Sequence, residues 1–465
     1  MSGPAADPAA ERAVAEGVRA LLAWACAVRP ADIAPAVRRK AVLIVADDIA
    51  AVVAARDEPE VIRANAQFVR DGARPEATLF SGRGERTDRI GAALGNGIAG
   101  SWCELDEGYR MAPCHAGLYT LPALLAEAEA RSLTVEQVLT AAIVAYEVTA
   151  RFARCWIFPT LGLHPHPQTA AIGGAIATAL ARGFDAQRTL DAVTAASTLI
   201  TVGDYQHAVD GALVRNVWAA AGTANGMRCA DWAECGIGGH AGSPYAIYTG
   251  RLGQAPVPAA LTDALGTEWA ITRGYHKIHG CCQSTHSAVE ATLAARAALP
   301  AGATARDIRR VLLDTHRPGM TNRQPATTLA ARFSFEHVVA TAAVHGHARA
   351  EAFAATTLDD PGIAALRNRI ELRRYEPVLP RPHDRPARIT FELADGTTVT
   401  RECLSAAGGP DRPFDESVIL DKIREIVEAP YPAMAGVFGD LLELRPPSLA
   451  RSWPALVAEF TATSR

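Results

Sequence analysis

The segment LTVEQVLTAAIVAYEVTARFA, residues 133–153, carries a strong helical pattern. Its apolar residues recur three and four positions apart, which is the spacing of one face of an α-helix. Thr134 stands where an N-cap is expected, and Gln137 follows at the capping-box position. Glu147 and Arg151 lie one turn apart, so they predict an ion pair on the same helix. The segment therefore predicts a long, capped helix as the basic unit of the fold.

The same pattern extends from about residue 8 to residue 265, where alanine and leucine dominate. A further helix is expected after Asp185, which begins the segment DAQRTLDAVTAASTLI as another N-cap. Alanine-rich helices pack closely against each other. We therefore expect a helical bundle, in which Asn96 and Gly97 form a turn that shapes a pocket.

The pattern changes in the C-terminal part of the chain, where apolar and polar residues alternate as they do in strands. The segments with this pattern are DIRRVLLDTHRP (307–318), IELRRYEPVLP (370–380) and PARITFELADGTTVTREC (386–403). In the last segment, Asp-Gly between two alternating runs predicts a β-hairpin. A helical pattern then returns in FDESVILDKIREIVEA (414–429), with Asp415 as the expected N-cap.

These patterns predict a mainly α protein with two folded parts. A large all-helical domain is expected over residues 1–268, and a smaller inserted α+β domain over residues 269–404. The C-terminal helices, residues 405–465, are expected to return to the helical domain. A chain of 465 residues is long enough to build both parts.

The charge balance and the apolar runs exclude several classes of protein. Lysine and arginine number 46 against 50 aspartate and glutamate residues, so no basic surface for nucleic acid or a membrane is expected. The first residues lack an apolar signal core, and runs such as AAIGGAIATALA (170–181) are too short to span a bilayer. The nine cysteines show no disulfide framework. We therefore expect a cytoplasmic protein with reduced thiols.

A cluster of ionisable groups interrupts the apolar pattern in ELDEGYRMAPCH, residues 104–115. Histidine is the residue best suited to carry protons near neutral pH, which makes His115 a candidate acid or base. The carboxylates of Glu104 and Asp106 stand close enough in sequence to orient it. A solvated acidic turn that leads into a loop histidine is the alternative interpretation.

Two further histidines, His164 and His166, flank Pro165 at the predicted start of a helix. They are interpreted either as helix caps or as groups for acid–base chemistry and carboxylate binding. The segment HGCCQSTH, residues 279–286, raises a zinc site as an alternative. Its adjacent cysteines lack the usual Cys-x2-Cys spacing, so we expect no metal site.

Five segments, taken in order, resemble the MmgE/PrpD family, which includes 2-methylcitrate dehydratase, cis-aconitate decarboxylase and iminodisuccinate epimerase. Each motif alone is weak, but five in the right order are specific. The resemblance implies a large helical domain, a smaller α+β lid, a cleft between them, a homodimer, and no metal or organic cofactor. The segments are NGIAGSWCELDEGYRMAPCH (96–115), LHPHPQTAAIGGAIATA (163–179), GALVRNVWAAAGTANG (211–226), GYHKIHGCCQSTHSAVEA (274–291) and PATTLAARFSFEHVVA (325–340).

The resemblance also implies roles for individual residues. His115, His164 and Lys277 match positions of catalytic residues, and Lys277 would anchor a carboxylate or stabilise an enolate. Arg215 stands where other members carry lysine, and because arginine stays protonated this favours a binding role. The residues expected to bind substrate are Arg215, Glu104, Asp106, Tyr146, His166 and Cys282.

The expected function is that of a cofactor-independent lyase that removes a proton next to a carboxylate of a small di- or tricarboxylate. The first interpretation is a hydro-lyase resembling 2-methylcitrate dehydratase, and the alternative is an epimerase or isomerase resembling iminodisuccinate epimerase. A decarboxylase, or a non-catalytic relative that binds carboxylates, ranks below both. Residues 104–108 read Glu-Leu-Asp-Glu-Gly where many members read Asp-Phe-Asp-Asp-Thr, and Cys282 replaces a histidine of the decarboxylase. Both differences argue against a close copy of that enzyme.

Overall fold

The computed structural model of the protein describes residues 7–158 and 162–462. The fold is mostly helical, with a small sheet region in the C-terminal part. In these two ranges, none of the helices combines the length and the apolar character that a bilayer crossing requires.

Most of the helices lie in the N-terminal half. In chain order they are α1 (Pro8–Ala27), α2 (Pro35–Ala54), α3 (Pro59–Asp71), α4 (Arg89–Trp102), α5 (Ala116–Arg131), α6 (Val135–Cys155), α7 (Pro165–Ala181), α8 (Ala186–Ala196), α9 (Gln206–Asp210) and α10 (Trp218–Glu234). The later ones are α11 (His286–Ala297), α12 (Thr328–Phe333), α13 (Phe335–His345), α14 (Pro361–Arg367), α15 (Glu416–Val427), α16 (Met434–Leu441), α17 (Pro446–Leu449) and α18 (Trp453–Phe460).

The helix expected from the segment 133–153 is α6, and its start has the predicted chemistry. The Thr134 side chain accepts from the backbone N–H of Gln137, and the Gln137 side chain accepts from the N–H of Thr134. The ion pair along the helix is also confirmed, with Arg151 Nε 2.6 Å from Glu147 Oε1. Asp185 caps α8 as predicted, because its carboxylate accepts from a backbone N–H of the first turn.

Small residues let α7 and α10 approach each other closely. A Cβ on Gly174 would lie 2.2 Å from the carbonyl oxygen of Thr223, and one on Gly226 would lie 2.3 Å from that of Ala171. No side chain fits at either distance, so only glycine permits this packing. The close pair places the start of α7 beside the turn that precedes α10, and both carry candidate site residues.

The strands form two small pairs and one larger sheet. They are β1 (Ala77–Thr78), β2 (Arg86–Thr87), β3 (Gly108–Tyr109), β4 (Gly274–Tyr275), β5 (Ile308–Thr315), β6 (Ile370–Arg374), β7 (Ala387–Leu393) and β8 (Thr398–Cys403). The larger sheet has the order β6-β5-β7-β8, with β5 parallel to β6 and antiparallel to β7. The antiparallel pairing of β7 with β8 confirms the Asp-Gly hairpin.

The buried apolar side chains form two main clusters. The first takes residues from α1 to α8, α10 and α15 to α18, so the C-terminal helices share a core with the N-terminal ones. The second is built from the four-stranded sheet with α9 and α11 to α14. The expected turn at Asn96 and Gly97 was wrong, because both are buried inside α4. There the Asn96 side chain donates to the carbonyl of Thr78, an interaction that the local sequence does not reveal.

Candidate active site

A cavity lies where the two cores meet. Its empty space, counting the part open to solvent, is about 810 Å³. Tyr109 and Cys114 of the first cluster and Tyr205 of the second cluster are in its wall. Five of the residues predicted from the sequence line this cavity, namely Glu104, His115, His164, Arg215 and Cys282. The segment 104–115 is therefore one wall of a cavity and not a solvated turn.

His115 stands at the N-cap position of α5 and forms a close pair with Asp106. Its Nδ1 atom is 2.5 Å from Asp106 Oδ2, and its side chain remains 15% exposed. Burial alone would raise the pKa of Asp106, but Lys277 and His115 outweigh it and hold that pKa well below its usual range. An ionised Asp106 fixes the proton of the neutral imidazole on Nδ1 and leaves the Nε2 lone pair free to act as a base.

Three further charged side chains, Lys277, Glu104 and Arg215, extend this pair into an alternating series. Lys277 Nζ donates to Asp106 Oδ1 at 3.1 Å and lies 3.6 Å from Glu104 Oε2. Arg215 Nη1 is 2.6 Å from Glu104 Oε1. Although burial alone would lower the pKa of Lys277, the two carboxylates raise it, so the ammonium stays charged. Lys277 is fully buried behind these carboxylates and does not line the cavity.

Glu104 has a backbone conformation that side chains rarely adopt. Its φ angle is 54°, in the left-handed region that favours glycine, and its carboxylate is almost fully buried. Backbone strain of this kind costs about 1–3 kcal/mol and persists only where the surroundings enforce it. The ion pairs with Arg215 and Lys277 supply that constraint.

His164 and His166 begin α7 and both lie buried. His164 caps the helix, because its Nδ1 accepts from the N–H of His166 at 3.3 Å, while its Nε2 lies 3.4 Å from Arg215 Nε. Burial and the nearby Arg215 charge lower the pKa of His164, so it is neutral. His166 Nδ1 lies 2.7 Å from the hydroxyl of Tyr119, and its ring packs edge-on against that of His115. The cap interpretation of His164 thus holds, and the residue lines the cavity as well.

Tyr146 forms a hydrogen bond with the acidic segment, residues 104–115, on the side away from the cavity. Its hydroxyl donates to Glu107 Oε2 at 2.8 Å, and the other Glu107 oxygen accepts from the N–H of Gly117 at the start of α5. Burial raises the pKa of Glu107 to about 8. Four of the residues predicted from the sequence lie behind the cavity lining and not in it, namely Asp106, Tyr146, His166 and Lys277.

Cys282 is in the cavity wall, with its Sγ 3.7 Å from the hydroxyl of Tyr205. The zinc alternative for this segment gains no support, because no group of three or more possible ligands is arranged to hold a metal within the described ranges. His279 and His286 do pack ring against ring, with centroids 5.1 Å apart.

The cavity also contains two arginines that sequence reasoning missed, Arg317 and Arg385. Burial, together with the charges of Arg110 and Arg317, lowers the pKa of Arg385 to about 10, so it is still protonated at neutral pH. Arg317 lies two residues after the end of β5, and a polar residue just beyond a strand was the one signal that could have marked it. The loop that carries Arg385 gives no such signal.

The chain matches known proteins over most of its length. The N-terminal domain of the MmgE/PrpD family matches residues 19–257, and the C-terminal domain of that family matches residues 279–435. A cis-aconitate decarboxylase-like protein of Aspergillus oryzae is 25% identical over 435 residues, which cover 87% of this chain and 89% of that protein. The cis-aconitate decarboxylase of Aspergillus terreus is 24% identical, with 87% of each chain covered. This chain belongs to the MmgE/PrpD family.

Proposed function

We propose that the protein is a lyase that removes a proton next to a carboxylate of a small di- or tricarboxylate, and that loss of water follows. The pair formed by His115 and Asp106 at the cavity wall is the observation that carries this proposal. A histidine held in one tautomer by an ionised carboxylate is an effective general base. The arginines of the cavity suit an anionic substrate.

In the proposed reaction, His115 Nε2 takes the proton from the carbon next to a carboxylate. Negative charge then develops on the oxygens of that carboxylate. Arg215 lines the cavity beside Glu104 and His164, and its guanidinium can stabilise this charge. Asp106 stabilises the imidazolium that forms. The electron pair of the broken C–H bond forms the new double bond as the β-hydroxyl leaves.

The departing hydroxyl needs a proton to leave as water. Tyr205 and Tyr275 both line the cavity, and burial raises the pKa of each, so their phenols remain protonated at neutral pH. Either phenol can supply this proton, and the imidazolium of His115 can supply it as well. Water is then the leaving group and an unsaturated acid is the product.

Decarboxylation is the second candidate, because both relatives named above are called cis-aconitate decarboxylase or decarboxylase-like. Two local differences weigh against a close copy of that activity. By the resemblance described above, Cys282 stands where the decarboxylase has a histidine, and Gly108 stands where many family members have a threonine. A Cβ on Gly108 would lie 2.2 Å from the hydroxyl of Tyr275, so the ring occupies the space a threonine needs.

Proton NMR with 2-methylcitrate, cis-aconitate and iminodisuccinate in D2O separates the candidates. A new alkene signal from the hydroxy acid supports the hydro-lyase, and loss of a carboxylate supports the decarboxylase. Exchange of the α proton of iminodisuccinate without net change supports the epimerase. Binding of all three acids without any turnover would contradict the proposal and leave a carboxylate-binding protein.

A further inference from the structure

The cavity adjoins a second, outer pocket, and two arginines stand at the passage where the two spaces meet. Arg317, Arg385 and Pro113 are in the walls of both. The outer pocket has about 1080 Å³ of empty space, counting the part open to solvent, and it also exposes Arg374 and Arg381. Asp384 is the acidic residue of its lining, so four arginines face one carboxylate there. The passage between the two spaces is thus strongly basic.

Within residues 7–158 and 162–462, neither arginine at this passage forms an ion pair. Arg317 donates to Ser284 Oγ at 3.4 Å, and its guanidinium lies 5.8 Å from the ring centre of Tyr205. Across the part of the chain that the structure describes, neither Arg317 nor Arg385 has a carboxylate within 4 Å. Two fully buried cations near the cavity, Arg215 and Lys277, are by contrast both paired with carboxylates.

The position of Arg385 is set by contacts with the acidic segment. Arg110 donates to the carbonyl of Pro382 at 3.0 Å and pairs with Asp384, and Arg381 donates to the carbonyl of Met111. These contacts hold the loop before β7 against the residues that lead to His115. These contacts therefore fix the position of the loop that carries Arg385 relative to the cavity.

Two unpaired guanidinium groups in one passage repel each other, and an anion between them removes that repulsion. Carboxylates fit this role because their two oxygens match the fork of an arginine side chain. A neutral ligand would leave both charges unpaired. The arrangement thus calls for a negatively charged group of the ligand at this point.

We propose that Arg317 and Arg385 form the recognition site for a second carboxylate of the substrate, remote from the carbon that loses its proton. The inference rests on the proposed function, because His115 defines where the reacting carbon lies. It goes further in assigning specificity to two residues of the sheet region. Substrates with a single carboxylate bind more weakly, because they cannot occupy this site and the reacting position at the same time.

Isothermal titration calorimetry with two unreactive acids tests the site. Tricarballylate has three carboxylates and butyrate has one, and neither carries a hydroxyl group to eliminate. We expect the wild type to bind tricarballylate at least about 10-fold more tightly than butyrate. Arg317→Met and Arg385→Met should each weaken tricarballylate binding by about 10- to 100-fold, since each removes charge-assisted hydrogen bonds.

Arg374→Met is the matched control, because Arg374 is exposed and lines only the outer pocket. It should change the affinity by less than about 2-fold. Arg317→Lys and Arg385→Lys keep the charge but lose the fork, so an intermediate loss is expected from both. Circular dichroism of every variant checks that the fold is retained.

Several results would overturn the site. These are unchanged tricarballylate affinity in both methionine variants, an equal loss in Arg374→Met, or no binding of tricarballylate by the wild type. Failure of the proposed function has a different signature. In that case the wild type exchanges no α proton with any acid, while Arg317→Met and Arg385→Met still weaken tricarballylate binding and so support the recognition site.

Discussion

The contact between Asp106 and His115 does two things at once. It fixes the imidazole tautomer, and it places a negative charge where an imidazolium would develop in the proposed reaction. Lys277 helps to keep Asp106 ionised, so the carboxylate stays able to hold the Nδ1 proton of His115. In the proposed reaction Lys277 would act through Asp106 and Glu104, because both carboxylates lie within 4 Å of its Nζ.

We predict that Asp106→Asn lowers kcat by about 10²- to 10⁴-fold. The amide keeps the shape of the side chain, but it removes the charge that stabilises protonated His115. Steady-state turnover of the substrate identified by NMR measures the effect. Asp263→Asn, at an exposed position, should leave kcat unchanged. An Asp106→Asn enzyme with wild-type kcat would contradict the proposed role.

Residues of the site differed in how far the sequence revealed them. Glu104 and His115 stand in one dense, ionisable segment, so pattern and resemblance both led to them. Arg317 and Arg385 come from segments far along the chain from His115 and belong to no recognised motif. Only the folding of the sheet region against the acidic segment brings them into the same cavity, and such long-range contacts leave no local signal.

At the scale of elements, Glu107 joins the acidic segment to α5 and α6 through Gly117 and Tyr146. Because burial raises its pKa to about 8, the folded protein keeps this proton at pH values where the unfolded chain has released it. Stability from this group is therefore fully present below about pH 4.5 and is lost as pH rises towards about 8.

We predict that Glu107→Gln flattens the fall in melting temperature between about pH 5 and pH 8. Glutamine resembles the protonated carboxyl group and has no charge to gain. Thermal unfolding of both proteins across this range measures the difference. Glu428→Gln, at an exposed position, should follow the wild-type curve. Parallel curves for the wild type and Glu107→Gln would count against a raised pKa.

Arg332 in α12 connects three segments that surround the site. It is buried, and it donates to the carbonyls of Cys103 at 3.1 Å, Ala350 at 3.4 Å and Gly280. Cys103 directly precedes the strained Glu104, so this contact helps to hold that conformation. No carboxylate pairs with Arg332 in the described part of the chain, which makes these carbonyls its main partners.

We predict that Arg332→Met lowers the free energy of unfolding by at least about 3 kcal/mol, because it leaves buried carbonyls without donors. Denaturant unfolding measures this loss. Arg401→Met, at an exposed position on β8, should change stability by less than about 0.5 kcal/mol. Equal effects of the two substitutions would show that Arg332 is not a structural connector.

The regular elements were predictable where local chemistry is complete. Thr134 and Gln137 correctly predict the start of α6, and the Asp-Gly pair correctly predicts the β7–β8 hairpin. The turn predicted at Asn96 and Gly97 was wrong because these turn-forming residue types occur here inside a helix. Asn96 is needed there for its hydrogen bonds to β1 and the residues that follow it, and these partners are distant in sequence.

At the scale of the whole molecule, the site exists because two cores meet. The helical core supplies His115 and Glu104, and the segments around the sheet supply Arg317 and Arg385. The Arg110–Asp384 ion pair joins the two regions beside the cavity. The geometry of the site therefore depends on how firmly the sheet region is held against the helices.

We predict that Asp384→Asn raises the KM for the substrate by about 3- to 10-fold and leaves kcat nearly unchanged, since it loosens the loop that carries Arg385. Hydrogen exchange over residues 376–386 should become faster in the same variant. Asp395→Asn, in the β7–β8 turn, serves as the control. A lower kcat with unchanged KM would place the effect on chemistry and contradict this role of the loop.

The most direct test of the account is the rate of α-proton exchange in D2O, measured by proton NMR for the wild type, His115→Gln and the exposed control His345→Gln. The substrates are 2-methylcitrate, cis-aconitate and iminodisuccinate. We predict that the wild type and His345→Gln exchange or eliminate the proton of at least one acid at equal rates, and that His115→Gln is slower by at least about 100-fold. Equal rates in all three proteins would contradict the assignment of His115 as the base.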